Sequence, residues 1–221
     1  MKRIPEPKIT FNNKHMWASS AHADFEAPHR LFVQLFQEHF AHQAITGHIL
    51  DLGCGDAETT CRFAQTFEQC QIDGIDSSED LSTHGKNNVE KQGLTNRIHL
   101  IPASLAEAQL PSTYYDVVIS NSFLHHLTNP DVLWETIKTT AKPNALVFIM
   151  DLMRPEGLHQ VEIIVKQHTR DEPKILQHDF FNSLCAAYRI DEVEAQLKTA
   201  GLKHLRIHEV SDCHFIVRGK L

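Results

Sequence analysis

The stretch Ile49-Leu50-Asp51-Leu52-Gly53-Cys54-Gly55-Asp56, with Asp76 about twenty residues further on, most constrains what this chain can fold into. His48 to Leu52 reads as a buried parallel strand that stops abruptly at a glycine turn. Behind the turn, Thr60, Phe63, Ala64 and Phe67 fall at i, i+3, i+4 and i+7, which is one face of a helix. A second strand, Gln71 to Ile75, then delivers the carboxylate of Asp76 to the same sheet edge. Strand, glycine turn, helix, strand and terminal acid make a nucleoside-binding half-fold. Bare glycines admit the ligand to the backbone, and the acid holds ribose hydroxyls.

The residues at the helix start select among nucleoside ligands. A dinucleotide site carries G-x-G-x-x-G, and its helix N-terminus holds a pyrophosphate. Here Glu58 stands at the third glycine position and Asp56 joins it in the first turn. Two carboxylates already complement the helix dipole and repel a phosphate. An adenosyl ligand with a positive charge and no phosphate suits such a turn, and S-adenosylmethionine is one.

Four segments in order resemble the class I S-adenosylmethionine-dependent methyltransferases. ILDLGCGDAETT resembles the family's first motif, and GIDSS with Asp76 the acidic end of its second strand. YYDVVISNSFLHHLTNP, Tyr114 to Pro130, resembles the fourth strand with the segment after it, and ALVFIMDLMRP, Ala145 to Pro155, the fifth strand and its exit. The LHHL element is similar to that of small-molecule enzymes, including quinone and other secondary-metabolite methyltransferases. The resemblance implies a Rossmann-like α/β fold: a doubly wound seven-stranded sheet, mostly parallel, with a C-terminal antiparallel hairpin and helices on both faces.

The rest of the chain agrees with one globular unit. It has 221 residues, 42% of them hydrophobic, and a formal net charge of −7, enough for a real core. No apolar run reaches the eighteen or so residues of a membrane span, and the N-terminus has no secretory h-region. Cys54, Cys61, Cys70, Cys185 and Cys213 form no C-x-x-C pair, so reduced thiols in a cytoplasmic protein are expected. We expect residues 1–40 to form an N-terminal helical cover, with a helix from His29 to Phe40 after an irregular start. Residues 41–150 are the expected cofactor-binding core, in which Lys142-Pro143-Asn144 turns the chain into the fifth strand, Ala145 to Met150. Residues 151–190 are too long for a plain connection and are read as an inserted lid or substrate region. Residues 191–221 give a last helix, stopped at Gly201, and a closing hairpin.

Among candidate site residues, Asp51 either caps the turn or, as the resemblance implies, faces the amino-acid end of the cofactor. Gly53, Cys54 and Gly55 line the turn. Asp76, with Ser77 beside it, holds ribose or caps the next helix. Near the third strand the family's adenine-binding acid is missing from Pro102 to Ala106, and Ser104, beside Leu105, is the candidate in its place. Asn121 lines the pocket at the end of the fourth strand. His125, His126 and Asp151 are candidate catalytic residues, imidazole being a suitable base for a phenol or enol. Paired histidines here are also a recurring structural element that packs beside the cofactor, the reading favoured over direct catalysis.

On the acceptor side, Arg154 either holds an anionic acceptor or pairs with Asp151, and Asp179 and Tyr188 complete the candidate substrate set. Phe180 and Phe181 are read as packing an inserted helix. The sixteen histidines are scattered, and no metal is expected. The expected function is methyl transfer from S-adenosylmethionine to a small-molecule acceptor, leaving S-adenosylhomocysteine, by positioning and exclusion of water. The alternatives are a protein-directed methyltransferase or a non-catalytic adenosyl-binding module. An acidic chain without a lysine-arginine cluster argues against nucleic acid, and the assembly is a monomer or homodimer.

Overall fold

The computed structural model describes residues 1–7 and 26–221. Most of the irregular start expected before residue 28 therefore lies outside the described residues. The element order is α1 (Glu26–His39), β1 (Gly47–Leu52), α2 (Glu58–Thr66), β2 (Cys70–Asp76), α3 (Glu79–Lys91), β3 (Ile98–Pro102), β4 (Tyr115–Asn121), a 3-10 turn (Leu124–His126), α4 (Asp131–Thr140), β5 (Ala141–Leu152), α5 (Leu158–His168), α6 (Lys174–Ala186), α7 (Ile190–Thr199), β6 (Arg206–Glu209) and β7 (His214–Lys220). The seven strands lie in the order β3-β2-β1-β4-β5-β7-β6. All pair in parallel except β7, which is antiparallel to both β5 and β6.

Period-two alternation along apolar strands builds a core on each face of this sheet. Leu50 and Leu52, Val118, Val147 and Ile149, and Phe215 and Val217 point to one side, against Leu133, Trp134 and Ile137 of α4 and Val193 and Leu197 of α7. Ile49, Val117 and Ile119, Phe148 and Met150, and Ile216 point to the other, against α1 and α2. There Phe36 packs its ring on Phe40, Phe63, Phe67 and Phe148, with centroids 4.7 to 5.5 Å apart. A smaller cluster of Leu152, Val161, Ile164, Val165, Leu184 and Cys213 seats α5 and α6, the two helices of the segment read as a lid.

Two boundaries differ from the sequence reading: α1 starts at Glu26 and not at His29, and β5 starts early. Strand β5 starts at Ala141, four residues early, and carries the Lys142-Pro143-Asn144 turn inside it. Pairing passes from Tyr115↔Ala141 to Val117↔Leu146, and Asn144 sits at φ +67. The turn is thus a bulge, held where the Lys142 ammonium meets the Asp116 carboxylate at 2.8 Å.

The strand order reverses between β1 and β4, so the carboxyl ends of those two strands open the crevice in which such sheets bind ligands. Trp134 anchors the helical layer beneath: its ring is fully buried and its Nε1–H donates to Gln196 Oε1 of α7 at 3.0 Å. Trp134→Ala is expected to cost about 3–5 kcal/mol. Its melting temperature should fall by roughly 10 °C in a thermal scan, and an unchanged value would mean this layer does not carry the fold.

Candidate active site

The turn after β1 is built from three left-handed residues: Gly53 (φ +76), Gly55 (φ +51) and Ala57 (φ +60). The two glycines serve different ends. A Cβ on Gly53 would lie 2.2 Å from the Phe123 ring, so that position is bare for protein packing. A Cβ on Gly55 would meet nothing within 4 Å and would project into open space, the condition for a ligand to approach the backbone. The N–H groups of Gly53 and Cys54 both donate to Ile75 O, which locks the turn to β2. Burial and the charges of Asp51 and Asp76 push the Cys54 thiol well up, so this cysteine contributes backbone and packing.

Asp76 fulfils the capping role and leaves room for the other. Its Oδ1 accepts from Ser78 N at 2.9 Å and its Oδ2 from Gly55 N at 3.1 Å. Each oxygen keeps a lone pair for a further donor. Ser77 is exposed beside it. Asp51 is 1% exposed and accepts from Thr60 Oγ1 at 2.6 Å. Burial raises its carboxyl to about 7, and the Asp76 charge adds to this against the Thr60 bond.

Across the crevice, Asn121 donates from Nδ2 to Thr59 Oγ1, which is also bonded to His29 of α1 at 2.6 Å. Asn121 Oδ1 is buried without a partner. An orphaned acceptor and a half-neutral buried acid facing a bare glycine turn fit a ligand that brings an ammonium group and an adenosyl ribose. Ser104 turns its hydroxyl to Glu107 Oε2 at 2.6 Å, so an acid does stand near the third strand, one residue beyond the window read from sequence. Leu105 packs half-buried against the larger core.

The turn after β4 is organised by Asp151. It is 1% exposed, with Oδ2 accepting from Leu124 N (2.7 Å) and Oδ1 from His125 Nδ1 (2.7 Å) and Leu152 N (2.8 Å). Burial opposes its charge, but the His125 imidazole and these donors hold the carboxyl below the usual range. Both oxygens are engaged by protein donors, so Asp151 orients His125 and is not turned towards an acceptor. His125 is 3% exposed, whereas the His126 side chain is 47% exposed. The sequence reading misses Glu6, which reaches over from the N-terminal segment. It accepts from His126 Nδ1 and, at 2.6 Å, from Ser183 Oγ of α6, with Oε1 4.0 Å from His125 Nε2.

Arg154 pairs with neither Asp151 nor open space. Its Nη2 meets Glu192 Oε1 at 2.6 Å and its Nη1 donates to Ala187 O at 2.9 Å. Tyr188 is also committed: its hydroxyl donates to Leu127 O at 2.7 Å and the Arg3 guanidinium lies 4.1 Å above its ring. Arg3 itself donates to the carbonyls of His125, Leu127 and Ala186. Asp179 stays half-buried on α6, its carboxyl raised by burial and by Glu6 against His178. Phe180 and Phe181 pack against the α5–α6 cluster, as expected.

Among the described residues, two groups gather three metal-ligand atoms within 4.8 Å, Glu6-His125-His126 and His168-Asp212-Cys213. Hydrogen bonds among their own members and neighbours account for both, and burial pushes the Cys213 thiol up to about 12. His204 and His208 are spaced for one helix face, but His208 lies on strand β6, where that spacing means nothing.

Asp151→Asn replaces an acceptor-only group with one that cannot satisfy all three donors. We expect about 3–5 kcal/mol of lost stability, read as a lower denaturation midpoint in urea. An unchanged midpoint would contradict the orienting role.

A methyltransferase domain model matches residues 50–147. The chain is 23% identical over 108 residues to the ubiquinone/menaquinone biosynthesis C-methyltransferase of Vibrio parahaemolyticus, covering 48% of this chain and 42% of that protein. It is 27% identical over 169 residues to the 27-O-demethylrifamycin SV methyltransferase of Amycolatopsis mediterranei, covering 74% and 56%. The chain therefore spans about half the length of these curated relatives. A crystal structure of a putative S-adenosylmethionine-dependent methyltransferase from Methanococcus maripaludis superposes with a TM-score of 0.72 at 16% identity, over 97% of this chain and 95% of that one. Among the described residues no helix is long and apolar enough to cross a membrane. With the ordered motifs, the switch-point crevice and the antiparallel β7 all in place, the chain has the fold of the S-adenosylmethionine-dependent methyltransferases, and residues 50–147 are similar to a methyltransferase domain.

Proposed function

We propose that this chain transfers the methyl group of S-adenosylmethionine to a small-molecule acceptor, acting mainly by positioning and exclusion of water. The observation that carries the reading is unmet hydrogen-bonding capacity about the bare Gly55 turn: Asn121 Oδ1 has no donor, Asp51 has one hydroxyl, and Asp76 is tied to Gly55 N. In this reading Asp51 and Asn121 receive the ammonium end, Asp76 with Ser77 the ribose, and Ser104 and Leu105 the adenine. Gly53 and Cys54 shape the turn. The cofactor supplies an electrophilic methyl, and the protein has to hold an acceptor in line with it in a dry site.

The acceptor is read as lying beside His126, under α6 and the segment from 151 to 190. Two named relatives act on a quinone precursor carbon and on a rifamycin, by their names, which agrees with a diffusible organic acceptor. Arg154 and Arg3 are both committed to protein acceptors, so neither is assigned to an anionic acceptor.

Calorimetric titration with S-adenosylhomocysteine, with NADH as control, tests the cofactor. Micromolar binding of the first alone is expected. Asp76→Ala should weaken it roughly tenfold or more, since it removes charge-assisted hydrogen bonds. Binding of NADH in its place would overturn the reading.

The protonation of Asp51 gives a second test. With its carboxyl at about 7 in the folded protein, above its unfolded value, it is largely protonated at about pH 6 and ionised at about pH 8.5. An ammonium ligand favours the carboxylate. Binding at the lower pH should then release up to about one proton, and at the higher pH almost none, as read from heats in buffers of different ionisation enthalpy. The sign for stability is the reverse of a paired carboxylate. This group's contribution is full below the unfolded pKa and is lost as pH rises through about 7. Equal proton release at both values would exclude Asp51 from the ligand's charge.

A further inference from the structure

Glu6 belongs to no motif, and nothing in the fold of the sheet requires it. Yet residues 1–7 are fastened across the acceptor end of the molecule by backbone and side-chain bonds. Ile4 N donates to Cys185 O at 3.0 Å, and Arg3 ties three carbonyls together, including His125 O at 2.8 Å. This fixes where Glu6 falls, between the 3-10 turn and α6. Its carboxylate is then held by two donors, Ser183 Oγ and His126 Nδ1.

The two histidines of the turn differ in consequence. His125 is enclosed, and its Nδ1 is engaged by Asp151. His126 is half-exposed, its Nδ1 is engaged by Glu6, and among the described residues no group pairs with its Nε2. A carboxylate on one ring nitrogen fixes the tautomer and leaves the other as a lone-pair base. Burial lowers the His126 imidazole, and Glu6, with the charges of Asp151 of β5 and Asp76 of β2, raises it above the ordinary histidine value. Its neighbour in the turn is His125, at 4.0 Å between ring centroids. On the α6 side Glu6 faces Asp179 and Ser183.

We propose that Glu6 is a positioning residue that makes His126 the general base of this enzyme, so that the acceptor is one that surrenders a proton, a hydroxyl or an acidic carbon. This rests on the methyltransferase reading above. The acceptor's proton passes to His126 Nε2, and the electron pair it leaves behind forms the new bond to the methyl carbon. The imidazolium that results is balanced by the Glu6 carboxylate. No oxidant, reductant or metal enters. Amine free bases and thiolates, which need no such base at the moment of transfer, are the acceptors this arrangement does not serve.

The test follows the His126 ring by nitrogen-15 NMR in protein saturated with S-adenosylhomocysteine. The wild type should hold the Nδ1–H tautomer and titrate above ordinary histidine. In Glu6→Gln the tautomer preference should relax and the titration midpoint fall by about one pH unit or more. Glu6→Asp should recover part of that shift, and Ser183→Ala, which removes only the anchoring hydroxyl, should leave the midpoint near the wild-type value. With an acceptor found by transfer of labelled methyl, Glu6→Gln should lower kcat roughly a hundredfold with the KM for S-adenosylmethionine unchanged. An unmoved His126 midpoint in Glu6→Gln, or an equal kcat loss in Ser183→Ala, would overturn the proposal. Should Glu6→Gln not fold, full turnover by His126→Gln would do the same. Failure of the wild type to bind S-adenosylhomocysteine would instead sink the methyltransferase reading itself.

Discussion

The Asp151 carboxylate is the interaction on which the turn after β4 and the segments fastened to it depend. It ends β5 in a dry environment and gathers three donors, two from the chain just after β4 and one from its own neighbour. A buried charge is tolerated only when its lone pairs are met, and here they are met by the turn that has to be placed. The fastened segments hang from the turn in sequence. Leu127 O receives the Tyr188 hydroxyl, His125 O and Leu127 O receive Arg3, and His126 Nδ1 donates to Glu6.

Asp51 and Asp151 show how one side chain is given opposite characters by its donors. Both are about 1% exposed and both end a strand at the same sheet edge. Asp151 has three protein donors, an imidazole among them, and its carboxyl is held below the usual range. Asp51 has one hydroxyl and the repulsion of Asp76, and burial carries its carboxyl up to about 7. The first is finished as a structural charge. The second is left short of donors, as is Asn121 Oδ1, so unmet hydrogen-bonding capacity is left at the carboxyl ends of β1 and β4.

What is legible in the sequence is local. Strand alternation at Ile49–Leu52, Val117–Ile119 and Leu146–Met150 comes from side-chain period and places the two core faces. The acid at Asp76 is readable because it lies a fixed distance from the glycine turn in one supersecondary unit. The β5 boundary is not, because a turn signal, Lys142-Pro143-Asn144, is also a legitimate bulge once a partner strand supports it. Long-range pairings leave no signature at all. Glu6 meets His126 across 120 residues and Arg154 meets Glu192 across 38, and neither partner is marked by spacing or periodicity. Thr60 reads as part of an apolar face, and only the fold shows that its hydroxyl serves Asp51.

The disposal of the two arginines shapes the electrostatics of the crevice. Arg154 would leave β5 towards the ligand edge, and Arg3 lies directly over the turn, so either cation could have dominated the site. Instead Arg154 is closed by Glu192, which also accepts from Arg189 N at the start of α7, and Arg3 is spread over three carbonyls and the face of Tyr188. Their charge joins the N-terminal segment, the turn and α7 to one another. Two carboxylates stay free of these cations: Asp76, bonded to Gly55 N, and Glu6, bonded to His126, and both raise the His126 imidazole by their charge. Carboxylates left without a fixed cation favour positive charge beside them and disfavour an anion held as such.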